Sequence, residues 1–283
     1  MVQEIHFDKM HGLGNDYVYI VCMKELPGNL PELAIRISDR HFGVGGDGLV
    51  VVTESDVADF KMIMFNNDGS EAQMCGNASR CIGKLVYESG LTEKTKITLE
   101  TGAGIKHLEL HVSNKKVNSV SVNMGKPYLS YADIPVVRGE IQDRITKHKI
   151  ILGGKELELY CIGMGNPHGV IFDKVSEDFF KINSPLLEKH EIWPEKANIE
   201  FVNVTGDREI EMRVWERGTG ETLACGTGAC ASAVASILLG KTQNNISVKM
   251  KGGNLYIRIN DEGEVIMTGE AEHVAKGIYF YNK

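Results

Sequence analysis

The chain has 283 residues, 42% of them hydrophobic and 24% charged, with a formal net charge of −7. That composition suits a globular chain long enough for two domains of ordinary size, and the acidic balance argues against general binding to nucleic acid or to an anionic membrane. No apolar run approaches the length that spans a bilayer, and the opening MVQEIHFDKMHGLGND lacks the basic-then-apolar order of a signal peptide, so a cytoplasmic location is expected.

From the N-terminus, His6 to Met23 alternates and is rich in Val, Ile and Tyr around the polar turn His11-Gly-Leu-Gly-Asn-Asp16, which predicts strand, loop, strand. Pro31 opens a helix to about His41, with Leu33, Ile35 and Ile37 partly buried. The turn Gly43-Val-Gly-Gly-Asp-Gly48 precedes a strand at Leu49 to Thr53 instead of opening a helix, so it fails as a dinucleotide fingerprint and reads as a turn that lines a site. A strand at Phe60 to Phe65 leads to a helix from Cys75 to Gly90, with Ala78, Cys81, Ile82 and Leu85 on one face. Strands follow at Lys96 to Glu100, Lys106 to Val112 and Ser119 to Asn123. The polar stretch from Met124 to Asp133 marks a domain boundary.

Beyond it, strands are predicted near Lys149 to Leu152, Leu157 to Gly163 and Val170 to Phe172, the last preceded by the loop Gly163-Met-Gly-Asn-Pro-His168. Ser184-Pro185 caps and opens a short helix to about His190. Strands at Asn198 to Val204 and Glu211 to Trp215 lead into a second cysteine helix that runs to Leu239 and stops at Gly240. That helix is nearly all Ala, Ser, Val, Ile and Leu, so it must be wrapped on every side. From Ile246 the chain is strands again.

The halves echo one another. Gly12-Leu-Gly-Asn15 recurs as Gly163-Met-Gly-Asn166 at an offset of 151, and residues 61–66 recur as 211–216 at 150. Glu71-x-x-x-Cys75-Gly recurs as Glu221-x-x-x-Cys225-Gly, and Ile97 to Glu100 as Ile246 to Lys249. Four echoes in one order at nearly constant offset imply an ancestral duplication. The expected fold class is α/β: two pseudo-symmetric domains, each a mostly antiparallel curved sheet or barrel around a central helix, with a site between them.

A cysteine where a glycine-rich turn becomes a helix sits in the field of the helix N-terminus, which favours a thiolate. Gly76-Asn77 and Gly226-Thr227 offer backbone N–H groups to a carboxylate or phosphate. If Cys75 and Cys225 face one ligand, a thiolate on one side and a thiol on the other suit inversion of a stereocentre. Asn15, Asn66, Asn77, Asn166 and Asn198 can donate and accept at once. Arg217 can grip a second carboxylate, Glu216 can pair with an ammonium, and His168 can orient substrate or shuttle a proton. Two anion sites and an amine site together suggest a ligand with two carboxylates and at least one amine.

The segments HGLGNDYV, NNDGSEAQMCGNASRC, GNPH and WERGTGETLACGTGACA resemble the signature segments of the diaminopimelate epimerase family, and the likeness runs across nearly the whole chain. The resemblance implies a cofactor-free enzyme, with no metal, that converts LL- to meso-diaminopimelate for lysine and peptidoglycan synthesis. It implies Cys75 and Cys225 as the acid/base pair. It implies substrate contacts at Asn15, Asn66, Gly76, Asn77, Asn166, Asn198, Glu216, Arg217, Gly226 and Thr227, with His168 and Glu216 close to the reacting centre. It also implies a homodimer, and a final strand that returns to the first domain, giving domains of 1–126 with 271–283 and 127–270. Where some members carry a glutamine after GVGxD, this chain has Gly48, so any contact from that side chain is absent.

Other readings fit less well. Related racemases of the same fold act on proline or hydroxyproline, but WERGTGETLACGTGA and Arg217 favour diaminopimelate. A zinc site would want closer cysteine pairs than Cys75 with Cys81 or Cys225 with Cys230. A dithiol redox protein would use a Cys75–Cys225 bridge that here would mean inactivation, and a solute-binding protein would need no thiol on each side. Cys22, Cys81, Cys161 and Cys230 read as packing residues. His11 and His41 read as scaffold, and Glu71 and Glu221 as residues that orient the turns before each cysteine.

Overall fold

The computed structural model describes residues 2–23 and 26–282. Its first half runs β1 (Val2–Gly12), β2 (Asn15–Val21), α1 (Leu30–Ser38), β3 (Gly48–Thr53), β4 (Phe60–Asn66), β5 (Glu71–Ala72), α2 (Gly76–Glu88), β6 (Lys96–Thr101), β7 (Gly104–Ser113) and β8 (Lys116–Gly125). The second half runs β9 (Glu140–Gln142), β10 (Ile145–Leu152), β11 (Lys155–Gly163), β12 (Pro167–Ile171), α3 (Glu177–Glu188), β13 (Asn198–Gly206), β14 (Glu209–Glu216), β15 (Gly220–Glu221), α4 (Gly226–Leu238), β16 (Ile246–Met250), β17 (Gly253–Ile259), β18 (Val265–Gly269) and β19 (Glu272–Asn282). The chain divides into two compact units, Met1–Asn123 with Thr268–Lys283, and Met124–Met267. Among the described residues no helix is long and apolar enough to cross a membrane.

In the first unit the strands pair in the order β19, β1, β2, β3, β4, β6, β7, β8, antiparallel except for the parallel pairs β2–β3 and β4–β6, with β5 folded back on β4. In the second the order is β9, β10, β11, β12, β13, β14, β16, β17, again antiparallel except for β12–β13 and β14–β16, with β15 folded back on β14. Each parallel pair needs a crossover, and each gets a helix: α1 and α3 serve the first pair of their units, α2 and α4 the second. The two units therefore repeat one topology. Strand β18 pairs with β8, and the sheet does not close into a barrel.

The strands next to the first crossover are buried on both faces, as helix-covered strands must be. In β3, Leu49 and Val51 pack with Leu33, Ala34 and Ile37 of α1, while Val50 and Val52, also fully buried, point to the opposite face by strand alternation. In β13, Ile199 and Phe201 pack with Phe180 and Leu187 of α3, and Glu200 points the other way, toward α4. Helix α4 is buried along nearly its whole length against β11, β12, β13, β14, β16 and β17, which its all-round apolar sequence requires.

Three local expectations are corrected. Ile35 is 49% exposed, because Leu33, Ala34 and Ile37 occupy the inward arc of α1 and Ile35 falls outside it. Helix α3 does not begin at Ser184-Pro185. It begins eight residues earlier, with Ser176 as N-cap accepting from Phe179 N at 3.2 Å, acidic residues in the first turn, and Pro185 inside the helix. Strand β12 starts at Pro167 and ends before Phe172, and the short strand β9 was not anticipated.

Phe180 is the anchor of α3. Its ring lies 5.6 Å from Phe201 and 6.1 Å from Trp215, and the Arg213 guanidinium stacks on it at 3.8 Å. Phe180→Ala is expected to cost about 3–5 kcal/mol of stability, read as a lowered midpoint of urea unfolding.

Candidate active site

Both cysteine helices begin alike. Cys75 is the N-cap of α2, in extended backbone geometry, and its sulfur accepts from Ala78 N at 3.5 Å. Cys225 is the N-cap of α4 and accepts from Gly228 N at 3.4 Å. Small residues follow each cysteine and bury the first turn. The N–H groups of Gly76, Asn77, Gly226 and Thr227 fall outside the intrahelical ladder, so the positive end of each helix is offered at the cysteine. All six cysteines are free thiols.

In the first unit the structure brings Asn15, Cys75 and Asn77 together. Asn15 Oδ1 lies 3.5 Å from Cys75 Sγ and accepts from Asn77 Nδ2 at 3.1 Å. Asn15 is itself held by Asp47, whose Oδ2 accepts from Asn15 Nδ2 at 2.8 Å and from Asp16 N at 3.1 Å. Behind these, Asp16 bridges Lys9 at 2.6 Å and Arg40 at 2.7 Å. Burial opposes ionisation of Asp16, but its bonds to Arg40 and Lys9 prevail and hold the carboxyl below its usual range. Asp47 comes from the Gly43–Gly48 turn, which therefore braces Asn15. Asn66 stands at the end of β4, opposite Gly48, and donates to Ser70 Oγ at 3.0 Å. A Cβ on Gly48 would fall 2.1 Å from Phe65 O, so this backbone admits no side chain there.

The second unit gathers Asn166, His168, Asn198, Glu216, Arg217, Cys225 and Thr227. His168, fully buried, places Nδ1 2.7 Å from Glu200 Oε1 and Nε2 2.9 Å from Asn166 Oδ1. Asn198 Oδ1 accepts from Arg217 N at 2.8 Å, and the exposed Arg217 side chain donates to Glu195 O at 3.0 Å. Thr222 Oγ1 donates to Glu216 Oε1, and Thr227 Oγ1 lies 3.5 Å from Cys225 Sγ. Burial raises the Glu216 carboxyl above its usual range, against the bonds from Thr222 and Cys225 and the charge of His168. Burial, then the negative charges of Glu216 and Glu200, push the Cys225 thiol well up. These effects favour the thiol over the thiolate at Cys225, against the helix end beneath it.

Glu200, Thr222 and Asp47 were missed as individual residues. Glu200 carried a signal, a carboxylate in the apolar strand NIEFVNV. Thr222 carried none. Glu221 bonds Arg213 at 2.8 Å and Lys251 at 2.6 Å, which fixes β15 and turns its carboxylate to those partners. Cys81, Cys161 and Cys230 are fully buried and Cys22 is half-buried. Burial pushes the Cys81 thiol up to about 11.

A sequence profile described as diaminopimelate epimerase matches residues 7–130 and 160–274. Two relatives of that name, from Acetivibrio thermocellus and Methanococcus maripaludis strain C5, are each 49% identical to this chain, over 276 and 278 residues; both alignments cover 96% of this chain and 98% of the relative. A phenazine biosynthesis protein from Bacillus anthracis superposes with a TM-score of 0.72 at 19% identity, covering 98% of this chain and 99% of the other. A hydroxyproline epimerase from Agrobacterium vitis, crystallised with trans-4-hydroxy-L-proline, superposes at 0.68 with 13% identity, covering 99% and 93%. These two likenesses speak for the fold alone.

The raised Glu216 carboxyl makes stability depend on pH with a defined sign. The folded state holds the proton more tightly than the unfolded state, so this contribution is complete below the ordinary carboxylate pKa and is lost as pH rises through the raised value. Relative to Glu216→Gln, the wild-type chain is expected to lose stability over that interval, by about 1.4 kcal/mol for each pH unit between the unfolded and folded titrations. Paired urea titrations of the two proteins across the acid-to-neutral range check this.

Proposed function

The chain belongs to the diaminopimelate epimerase family, and from that premise we propose that it interconverts LL- and meso-diaminopimelate by a two-base mechanism in which Cys75 and Cys225 are the acid/base pair. The carrying observation is the matched N-cap cysteine at the head of a helix in each unit.

The α-proton of an amino acid is very weakly acidic, so the carbanion must be stabilised as it forms. In this reading the α-carboxylate is held by the N–H groups of Gly76 and Asn77 and of Gly226 and Thr227, where helix-end charge supports the extra electron density. One thiolate removes the α-proton from one face, and the opposite thiol delivers a proton to the other. The sulfur charges exchange, and the configuration inverts. The burial and charge that favour the Cys225 thiol support a first half-reaction with Cys75 as base and Cys225 as acid. His168 and Glu216 adjust the charge around Cys225 during the reverse direction. Asn15, Asn66, Asn166 and Asn198 orient the amine and carboxylate groups. Arg217 grips the distal carboxylate, the feature that separates a substrate with two carboxylates from proline-type substrates. The family resemblance extends the proposal to a cytoplasmic homodimer that serves lysine and peptidoglycan synthesis using only its own side chains for the proton transfers.

Incubation with LL-diaminopimelate in deuterated water is expected to place solvent deuterium at one α-carbon without added cofactor or metal. Cys75→Ala and Cys225→Ala are each expected to lower the epimerisation rate roughly 10²–10⁴-fold, the usual worth of a positioned acid or base, with unchanged circular dichroism. Normal turnover by either variant would refute the two-base scheme.

A further inference from the structure

The two units share a backbone plan but differ in one buried cluster of three residues. His168 pairs in register with Asn198 across β12 and β13, as Tyr17 pairs with Gly48 across β2 and β3. Two residues along, Glu200 of β13 corresponds to Val50 of β3, each aligned with the facing strand in the same way: Glu200 with Val214, Val50 with Met64. At the third residue after each cysteine, Gly228 corresponds to Ala78. The combination Tyr17, Val50 and Ala78 in one unit thus stands as His168, Glu200 and Gly228 in the other. The glycine follows from the carboxylate. A methyl on Gly228 would meet Glu200 Oε1 at 2.7 Å and Cys225 Sγ at 3.3 Å, so carboxylate and thiol line the same small space.

Glu200 has no solvent exposure, and its Oε2 has no hydrogen-bond partner among the described residues. An ionised carboxylate in that position is costly unless a cation pairs with it. The imidazole 2.7 Å from Oε1 is that group. His168 meets an oxygen at each ring nitrogen, Glu200 Oε1 at Nδ1 and Asn166 Oδ1 at Nε2. A neutral imidazole can donate to only one of them, whereas the doubly protonated ring donates to both. The other titratable groups acting around this pair are Glu216 of β14 and Cys225 at the head of α4, both acidic.

We infer that Glu200 is a positioning residue for the reaction: through His168 Nδ1 it holds the imidazole as a doubly protonated cation next to Cys225 and Glu216, where negative charge forms. Without that cation, the Glu200 and Glu216 carboxylates would both oppose a Cys225 thiolate. With it, the Glu200–His168 pair is neutral and one unit of negative charge can pass between Glu216 and Cys225. This role rests on the proposed use of Cys225 as an acid/base group, but its first test does not need substrate.

Imidazole ¹⁵N NMR of the full-length protein, with the His168 signal assigned by its absence in His168→Gln, reads the ring directly. Both His168 nitrogens are expected to be protonated at neutral pH in the wild-type chain. In Glu200→Gln, which keeps the shape and removes the charge, the ring is expected to lose one of those two protons at the same pH, since a neutral imidazole donates from only one nitrogen. The high-pH limb of kcat/KM for diaminopimelate should fall to lower pH with it, a change that a merely structural role would not produce. If Glu200→Gln does not fold, Glu200→Val combined with Gly228→Ala installs the residues of the first unit and carries the same NMR test. A neutral His168 ring in the wild type, or a ring still protonated at both nitrogens in the folded variant, overturns the inference. A wild-type chain that shows the His168 cation yet exchanges no α-proton would instead refute the proposed function and leave the pairing intact.

Discussion

Each unit is built to deliver a helix end to a sulfur atom. Aspartate or serine is the usual side chain at a helix N-cap, because its oxygen takes up the third amide and quenches part of the terminal charge. Cys75 and Cys225 occupy that position with a weaker acceptor, at 3.5 and 3.4 Å from the third N–H. Much of the helix-end potential is left unquenched. The arrangement sets terms for the surrounding fold. Each of these helices begins with a glycine, Gly76 or Gly226, which leaves its first-turn backbone open to close approach. A helix held still enough to aim that turn has to be packed along its length, so α2 and α4 are the most deeply buried helices of their units. The sheets then have to supply apolar side chains on the face turned toward those helices as well as on the face covered by α1 and α3.

The same backbone carries different electrostatics in its two copies. Around Cys75 stand the amides Asn15 and Asn77, braced through Asp47 by a network of Asp16, Lys9 and Arg40, with the Tyr19 hydroxyl and the Cys81 thiol also close enough to interact with it. The carboxylates of that network act on Asn15 and its strand. Around Cys225 the neighbours are ionisable: Glu216 at the end of β14, and Glu200 with His168 beneath. Where Glu216 stands, the first unit has Asn66. A proton-transfer pair with two identical environments would have no preferred resting state. Here burial, with the Glu216 carboxylate close by, favours the thiol form of Cys225.

Much of this was legible in the sequence, because the features concerned are local. The cysteine helices were visible from glycine-rich turns followed by small and apolar residues, and the end of α4 from Gly240, which adopts a φ of +64° suited to glycine. The repeated order of elements was visible because it needs only the spacing of motifs. The start of α3 was not, since Pro185 imitates a helix start. Phe180 and Leu187, on one buried face, carry the helix past it, and Asn183 Nδ2 donates back to Phe179 O at 2.9 Å within the same turn. That face is recognisable only once Phe201 and Trp215 are known to lie against it. Glu200 was hidden for a related reason. A lone carboxylate in a strand ordinarily marks the solvent side, and only the burial of both faces of β13 makes it an interior charge that requires a partner.

Gly48 and Asn198 show how one backbone position accommodates this divergence. Both stand at the start of the second strand of their parallel pair, opposite the end of β4 or β14. At Gly48 the facing strand comes so close that a Cβ would lie 2.1 Å from Phe65 O and 3.1 Å from the Asn66 Cα, so the position is limited to glycine by contact rather than by dihedral angle. At Asn198 there is room for a side chain, and its amide accepts the Arg217 N–H while donating toward Pro167 O at 3.4 Å. Asn198 thereby ties the turn that carries Glu216 and Arg217 to the strand that carries His168. The first unit has no charged pair at this point, only Asn66 and Asn67, and there Phe65 O lies close against the glycine backbone. One backbone position thus carries a glycine facing Asn66 in one copy and, in the other, an asparagine that holds the turn bearing Glu216 and Arg217.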